Sequence, residues 1–247
     1  MKTNATIPMP DGEARAFVFT PDAGPGPWPV ILFYMDGPAI RPALFQMGER
    51  MAQAGYYVLL PDMFWRLGPY PPIDIATAFG SPEGRKMFRE TYFSSTDPLR
   101  AMADTGVFLA WLDAQPHARP GPFGVTGYCM GGGFALRAAA AFPDRFAAAA
   151  SFHPSNLATD EPDSPHLAVA RIKARVLVAG GDQDASFDEA QKDRLAAALS
   201  DGGVDAEVSI WAGCRHGWVP TDMPIHNAEG AERHWRELIA LFDGTLK

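Results

Sequence analysis

The stretch that most restricts how this chain folds is Gly124-Val125-Thr126-Gly127-Tyr128-Cys129-Met130-Gly131-Gly132-Gly133. It opens on Phe123-Gly124-Val125-Thr126, short, apolar and β-prone, and runs into Phe134-Ala135-Leu136-Arg137-Ala138-Ala139-Ala140-Ala141, which is strongly helix-forming. The segment therefore reads as strand, sharp turn, helix, with Cys129 at the turn. Gly127-x-Cys129-x-Gly131 is the G-x-S-x-G pattern with sulfur in place of oxygen. In that pattern a nucleophile sits on a strained turn above a parallel sheet, and the flanking glycines are needed because a Cβ would strike the neighbouring strand or helix. A sulfur there lies at a helix N-terminus, where free N–H groups and the positive end of the dipole favour a thiolate. Taken alone, the same residues also describe a buried structural cysteine beside a glycine-rich turn, so the rest of the chain has to decide.

The surrounding periodicity predicts strands alternating with helices. Half-exposed Ala14–Thr20 and the apolar runs Val30–Met35, Tyr56–Leu60, Ala147–Phe152, Ala174–Gly180 and Ala206–Trp211 are expected as strands. Ala43–Ala54, Thr96–Asp113, Phe187–Leu199 and Ala228–Phe242 carry helical spacing. Pro21–Pro27 is expected to be a hairpin-type connection. Residues 63–84 lose periodicity and gain Pro69, Pro71, Pro72 and Pro82, a loop long enough to suggest a functional role. This alternation means a mostly parallel sheet with helices on both faces, expected as a single domain over residues 1–247.

Composition narrows the functional classes. The net charge of −8 argues against a nucleic-acid or anionic-membrane surface. Two cysteines make no disulfide framework and fit a reducing compartment. The N-terminus has no apolar signal core and no run is long enough to span a bilayer, so a cytoplasmic protein is expected. His153, His166, His226 and His234 form no metal-ligand pattern, and neither metal nor cofactor is expected. The expected partner is a small molecule, and the expected state is a monomer or small homo-oligomer.

Ligands of parallel sheets bind beyond the carboxyl ends of the strands. Those ends carry Asp36, Asp62, Cys129, His153, Gly181-Asp182-Gln183-Asp184 and Gly213-Cys214-Arg215-His216-Gly217-Trp218. A cysteine, an acid and a histidine thus follow one another in the chain order used on the α/β-hydrolase fold. Cys129 attacks as thiolate, His216 moves the proton, and an acid, Asp184 or Asp182, fixes the imidazole. The Met130 N–H, next after the nucleophile, is placed to receive an oxyanion. Trp65, Tyr70 and Trp218 are apolar pocket walls or core, and Cys214 is a small buried hydrophobe.

With these pieces the chain resembles the dienelactone hydrolase family, α/β-hydrolases with a cysteine nucleophile. Tyr34-Met35-Asp36-Gly37, Gly55–Asp62, Gly127–Gly132, Gly181–Asp184 and His216-Gly217-Trp218 carry the resemblance in family order. It implies a hydrolase of carboxylic esters or lactones working through a thioester, with Asp184 rather than Asp182 as the acid and Gly37 as the second oxyanion donor. It also implies a thiol-controlling carboxylate, here Asp36, where the family's founding enzymes carry glutamate. Arg66 matches the first of two arginines that hold a substrate carboxylate. The second is missing from His216–Pro220. A redox-responsive or noncatalytic binding protein on the same fold is the alternative.

Overall fold

The computed structural model describes residues 1–247. Its centre is an eight-stranded sheet in the order β1-β2-β4-β3-β5-β6-β7-β8. The strands are β1 (Lys2–Met9), β2 (Gly12–Phe19), β3 (Val30–Tyr34), β4 (Tyr57–Pro61), β5 (Phe123–Tyr128), β6 (Phe146–Phe152), β7 (Arg175–Gln183) and β8 (Ala206–Arg215). From β4 to β8 every pairing is parallel, while β1 and β2 join antiparallel at one edge. Residues of β3, β4 and β5 are buried throughout, because helices cover both sides of the sheet and leave no solvent face for alternation to mark.

The helices are α1 (Pro42–Gln53), α2 (Ile75–Phe79), α3 (Pro82–Thr91), α4 (Pro98–Asp113), α5 (Met130–Ala141), α6 (Glu189–Asp201) and α7 (Ala228–Leu246). Two glycines of β5 show how closely they press on the sheet. A Cβ on Gly124 would lie 2.7 Å from Phe242 of α7, and one on Gly127 would overlap the backbone of Gly131 in α5. Residues three apart on a strand face opposite sides, so α7 and α5 cover opposite faces at this central strand. Side-chain caps fix several helix starts: Asp97 accepts from the Leu99 and Arg100 N–H groups at α4, and Asn227 accepts from the Gly230 N–H at α7.

Three sequence expectations change. Pro21–Pro27 is no hairpin, because β2 pairs with β1 and β4 and the connection passes across to β3, beyond β4. Edge strand β1 was not anticipated, since only Ile7 and Met9 of its eight residues are buried and its pattern is mostly polar. Residues 63–84 hold more order than a loop: a 3-10 turn at Trp65–Leu67, then α2 and the start of α3. The polar helix α3 buries only Gly84 and Phe88, so its stability comes from tertiary contact. Phe88 stacks on Tyr92 at 4.7 Å and meets Phe79 at 4.7 Å and Phe93 at 5.2 Å, which knits this excursion into one aromatic cluster.

The tight α7–β5 contact is testable. Gly124→Val is expected to cost about 1–3 kcal/mol by overpacking against Phe242 and Leu246. Gly244→Ala, on exposed helix surface with nothing near its Cβ, should be neutral or stabilising by up to about 1 kcal/mol. Urea denaturation of both variants checks this, and equal effects would contradict the packing described.

Candidate active site

Cys129 links β5 to α5 with φ 56° and ψ −119°. A non-glycine residue in such a conformation costs roughly 1–3 kcal/mol and persists only where its surroundings enforce it. Here the Cys129 N–H donates to the Phe152 carbonyl of β6 at 3.1 Å, and the Cys129 carbonyl accepts from the Gly132 N–H at 3.1 Å. The turn closes because its neighbours have no side chains. Besides the Gly127 contact above, a Cβ on Gly131 would collide with the Met35 and Tyr34 carbonyls at the end of β3. The glycine spacing is thus a steric consequence of laying a helix start across two strand ends.

The acid and the histidine come from adjacent strands. Asp184 follows β7 and His216 follows β8 directly, and the Asp184 Oδ2 accepts from His216 Nδ1 at 2.8 Å. The other carboxylate oxygen accepts from the Ser186 N–H at 2.8 Å. Asp184 has a side chain only 1% exposed, whereas Asp182 points to solvent, which decides between the two acids as partners of His216. The far side of the imidazole faces the Cys129 thiol closely enough for the charges of the two groups to couple.

Burial opposes charge on both groups, pushing the thiol up and the imidazole down. Their mutual attraction outweighs it, with Asp184 adding to the effect on the histidine. The net result lowers Cys129 below the ordinary thiol value and raises His216 to about 10. The Asp36 charge works against the thiolate, and the Gly37 N–H nearby favours it more weakly. Met130, the first residue of α5, brings its amide to the same turn. Over Gly37 stand two half-buried rings: a Cβ on that glycine would lie 3.3 Å from Phe79 and 3.8 Å from Phe93. The site therefore combines a thiol whose ionisation is favoured, an imidazole whose protonation is favoured, an amide near the sulfur and an aromatic wall.

Other expected site residues fall elsewhere. Asp36, 2% exposed, does not bond the thiol; both of its oxygens meet Arg41, at 2.5 and 2.9 Å. Arg41 continues to Asp222, at 2.7 and 3.2 Å, and so joins the loop after β3 to the loop after His216. Sequence reading missed Arg41. Its only trace is an arginine before the Pro42 that starts α1, and Asp222 is too remote in sequence to reveal the pairing. Arg66 does not offer the expected carboxylate clamp. Nη1 and Nη2 hold Asp104 at 2.7 Å each, and Nε holds Asp11 at 2.9 Å, so protein carboxylates occupy all three nitrogens.

Trp218 is wholly buried rather than a pocket wall, packed edgewise on His153 at 5.2 Å and tilted to Trp211 at 5.7 Å. Trp65 is also core, donating to Asp104 at 3.1 Å, and Tyr70 donates to Asp62 at 2.7 Å. Cys214 is buried and free, its thiol pushed up to about 11 mainly by burial. No three His, Cys, Asp or Glu side chains approach closely enough to hold a metal ion. No helix is long and apolar enough to cross a membrane.

The model of the dienelactone hydrolase family matches residues 14–246. The chain belongs to the dienelactone hydrolase family. Among relatives, the carboxymethylenebutenolidase of Rhodococcus opacus is 27% identical over 251 residues, covering 99% of this chain and 90% of that protein. Of solved structures, m3DLH superposes with a TM-score of 0.81 at 20% identity, covering 100% of this chain and 99% of the other. A dienelactone hydrolase-like promiscuous phosphotriesterase, P91, from metagenomic libraries superposes at 0.79 with 18% identity, again over 100% and 99%. These structural likenesses establish the α/β-hydrolase fold.

The histidines behind the site give a pH prediction. His153 and His234 are fully buried, and burial holds the first well below 6.5 and the second at about 3. The unfolded chain therefore takes up these protons first as the pH falls. The stability they confer is complete above about pH 6.5 and is lost on acidification; for His234 the loss runs down toward pH 3 and is on the order of 2 kcal/mol by pH 5. Urea midpoints at pH 7 and pH 5 should diverge in the wild type and diverge less in His234→Gln. An unchanged pH slope in the variant contradicts a neutral buried imidazole.

Proposed function

We propose that this protein hydrolyses carboxylic esters or lactones through a thioester acyl-enzyme, with Cys129 as nucleophile, His216 as acid and base, and Asp184 as the group that orients the histidine. One observation carries the reading: a thiol on a strained turn is electrostatically coupled to an imidazole whose Nδ1 is held by a buried carboxylate. The name of the Rhodococcus relative, a carboxymethylenebutenolidase, supports a lactone or ester as substrate.

The chemistry follows from the placement. The Cys129 thiolate adds to the substrate carbonyl, forming a C–S bond as the carbonyl π electrons move to oxygen. The resulting oxyanion is received by the Met130 and Gly37 N–H groups, donors of the kind whose individual loss costs on the order of 10²–10³ in rate. The tetrahedral carbon re-forms its double bond and expels the alkoxide, which takes the proton held on His216 Nε2. For a lactone this opens the ring and keeps the alcohol on the acyl chain. His216, now neutral, removes a proton from water as the water attacks the thioester. The thiolate then leaves, and the acid departs with the imidazolium and thiolate restored.

Asp184 keeps Nδ1–H directed at itself and Nε2 directed at the sulfur, and it supports the charged imidazole. Asp36 lies close enough to disfavour the thiolate, and its ion pair with Arg41 tempers that effect. Phe79 and Phe93 give the bound acyl group an apolar wall beside Gly37.

The test is a pre-steady-state assay with p-nitrophenyl acetate, read alongside the intact mass of the protein. A burst of nitrophenolate with an acetyl adduct on Cys129 is expected. Cys129→Ala should abolish turnover and Cys129→Ser should leave weak activity. Asp184→Asn should lower kcat by about 10² or more, as expected from upsetting the histidine tautomer, and should be far more damaging than Asp182→Asn. Wild-type rates in Cys129→Ala, or a crippling effect from Asp182→Asn alone, would remove the assignment. No turnover on any ester or lactone would favour a binding protein on this fold.

A further inference from the structure

His153 follows β6 directly, at the carboxyl ends of the strands, and differs from the other histidines of the chain. Each of those bonds a ring nitrogen, whereas neither nitrogen of His153 has a hydrogen-bond partner on another residue. The side chain is nonetheless fully buried. Its backbone stands at φ 37°, and its N–H donates to the Ala179 carbonyl of β7 at 2.9 Å. Both features are unfavourable. A positive φ strains a residue that carries a Cβ, and a buried polar atom without a partner loses its hydration with nothing in return. An apolar ring would fill the same place without orphaned nitrogens. Where a position breaks two local rules beside a functional site, the side chain is retained for its chemistry.

The neighbours say which chemistry. His216, after β8, meets the ring at 5.5 Å with the planes 70° apart. Trp218 meets it at 5.2 Å and Tyr128 of β5 at 5.7 Å, so the ring is held from further sides. The titratable and charged groups around it are His216, His234 of α7, Arg41 ahead of α1 and the Tyr128 phenol. Burial first, and then the charges of His216, His234 and Arg41, keep His153 uncharged, while its own carbonyl works the other way. A neutral imidazole carries a donor N–H on one nitrogen and a lone pair on the other, and its proton takes the nitrogen that suits the local field. Beside a cation this makes it an oriented dipole, and at a buried ring that dipole is little screened.

His216 is the cation in question. Its Nδ1 is committed to Asp184 and its far side faces the Cys129 thiol. A further group can therefore act on it only through its ring plane and through the field it feels. His153 is placed for both.

We propose that His153 is a positioning residue for His216: its buried ring fixes the plane of that imidazole, and its dipole favours the imidazolium over the uncharged ring. This rests on the Cys129, His216 and Asp184 reading above and adds a fourth side chain to it. The consequence falls on the leaving group. The alkoxide of a lactone takes the proton from His216 Nε2 as its C–O bond breaks, whereas p-nitrophenolate is a weak base and departs without one. Loss of the His153 dipole is felt with lactones more than with activated esters.

The experiment measures kcat/KM for δ-valerolactone and for p-nitrophenyl acetate, from neutral pH to beyond the His216 titration at about 10, in wild type, His153→Phe, His153→Leu and His153→Asn. In the Phe and Leu variants the alkaline limb of the lactone profile should move down by about 0.5–1 pH unit, so that the lactone-to-nitrophenyl ratio on that limb falls about three- to tenfold. Asparagine tolerates positive φ and carries an amide dipole, so His153→Asn should retain more of the ratio than His153→Leu. An unchanged limb and ratio in Phe and Leu, or equal losses in Asn and Leu, overturns the proposal. The wild type gives a second measurement that needs no folded variant. Coupling between two sites is reciprocal, so the balance of Nδ1–H and Nε2–H tautomers of His153, read from its ring 15N resonances, should change as His216 loses its proton. A constant balance through that titration also overturns the proposal. If the wild type hydrolyses neither substrate, the ester and lactone reading fails, and the tautomer balance alone decides whether His153 is coupled to His216.

Discussion

The constraint on which this site depends is the backbone of Cys129, held at positive φ between β5 and α5. From it follow the direction of the sulfur, the start of α5 beneath it, and the position of the Met130 amide next to it. The strain is sustained by dense packing: two glycines bring α5 against the ends of β3 and β5, and a hydrogen bond to Phe152 ties the turn to β6. Relaxing Cys129 to an ordinary conformation would require moving a helix that covers the centre of the sheet, and such close-packed elements yield poorly. A modest local cost is thereby met by the whole fold, and the thiol is fixed rather than free to swing.

The second organising feature is how charge is distributed around that thiol. Three pairings lie near one another at the strand ends: Asp184 with His216, His216 with Cys129, and Asp36 with Arg41. The first two favour a thiolate. The third compensates a buried carboxylate that would otherwise oppose it more strongly, and by reaching Asp222 it fastens the loop after His216 to the loop bearing Gly37. Behind them lie His153 and His234, kept neutral by burial, so they add no further positive charge at neutral pH. His153 meets His216 edge-on at 5.5 Å and supports the imidazole by contact.

Much of this was legible in sequence because it rests on local rules. Apolar runs such as Val30–Tyr34 can hardly be anything but covered strands, and the glycine spacing around Cys129 encodes one close approach. The order of strand ends pointed to an acid of the 181–184 turn as the partner of His216, and the family resemblance picked Asp184 over Asp182. What escaped depends on contacts between distant segments. β1 is polar and gains its strand identity from pairing with β2. The helix α3 is held by an aromatic cluster assembled from residues 64 to 93. Arg66 stands at the sequence position of a substrate clamp, yet Asp104 and Asp11, each far along the chain, take its donors. Trp218 reads as a site aromatic from its place beside His216, but its side chain turns into the core.

The central claim is that Cys129 rests as a thiolate because His216, held by Asp184, is charged beside it. The most direct measurement is a titration of ultraviolet thiolate absorbance in wild type and in His216→Gln, with Cys214→Ala as background so that one thiol is observed. The wild type should show the Cys129 thiol ionising below the ordinary thiol range of about 8.5. In His216→Gln the transition should move up to that range or beyond it, since burial then acts without its counter-charge. A transition near 8.5 or above in the wild type, or one that does not move in His216→Gln, would contradict the ion pair and the chemistry built on it.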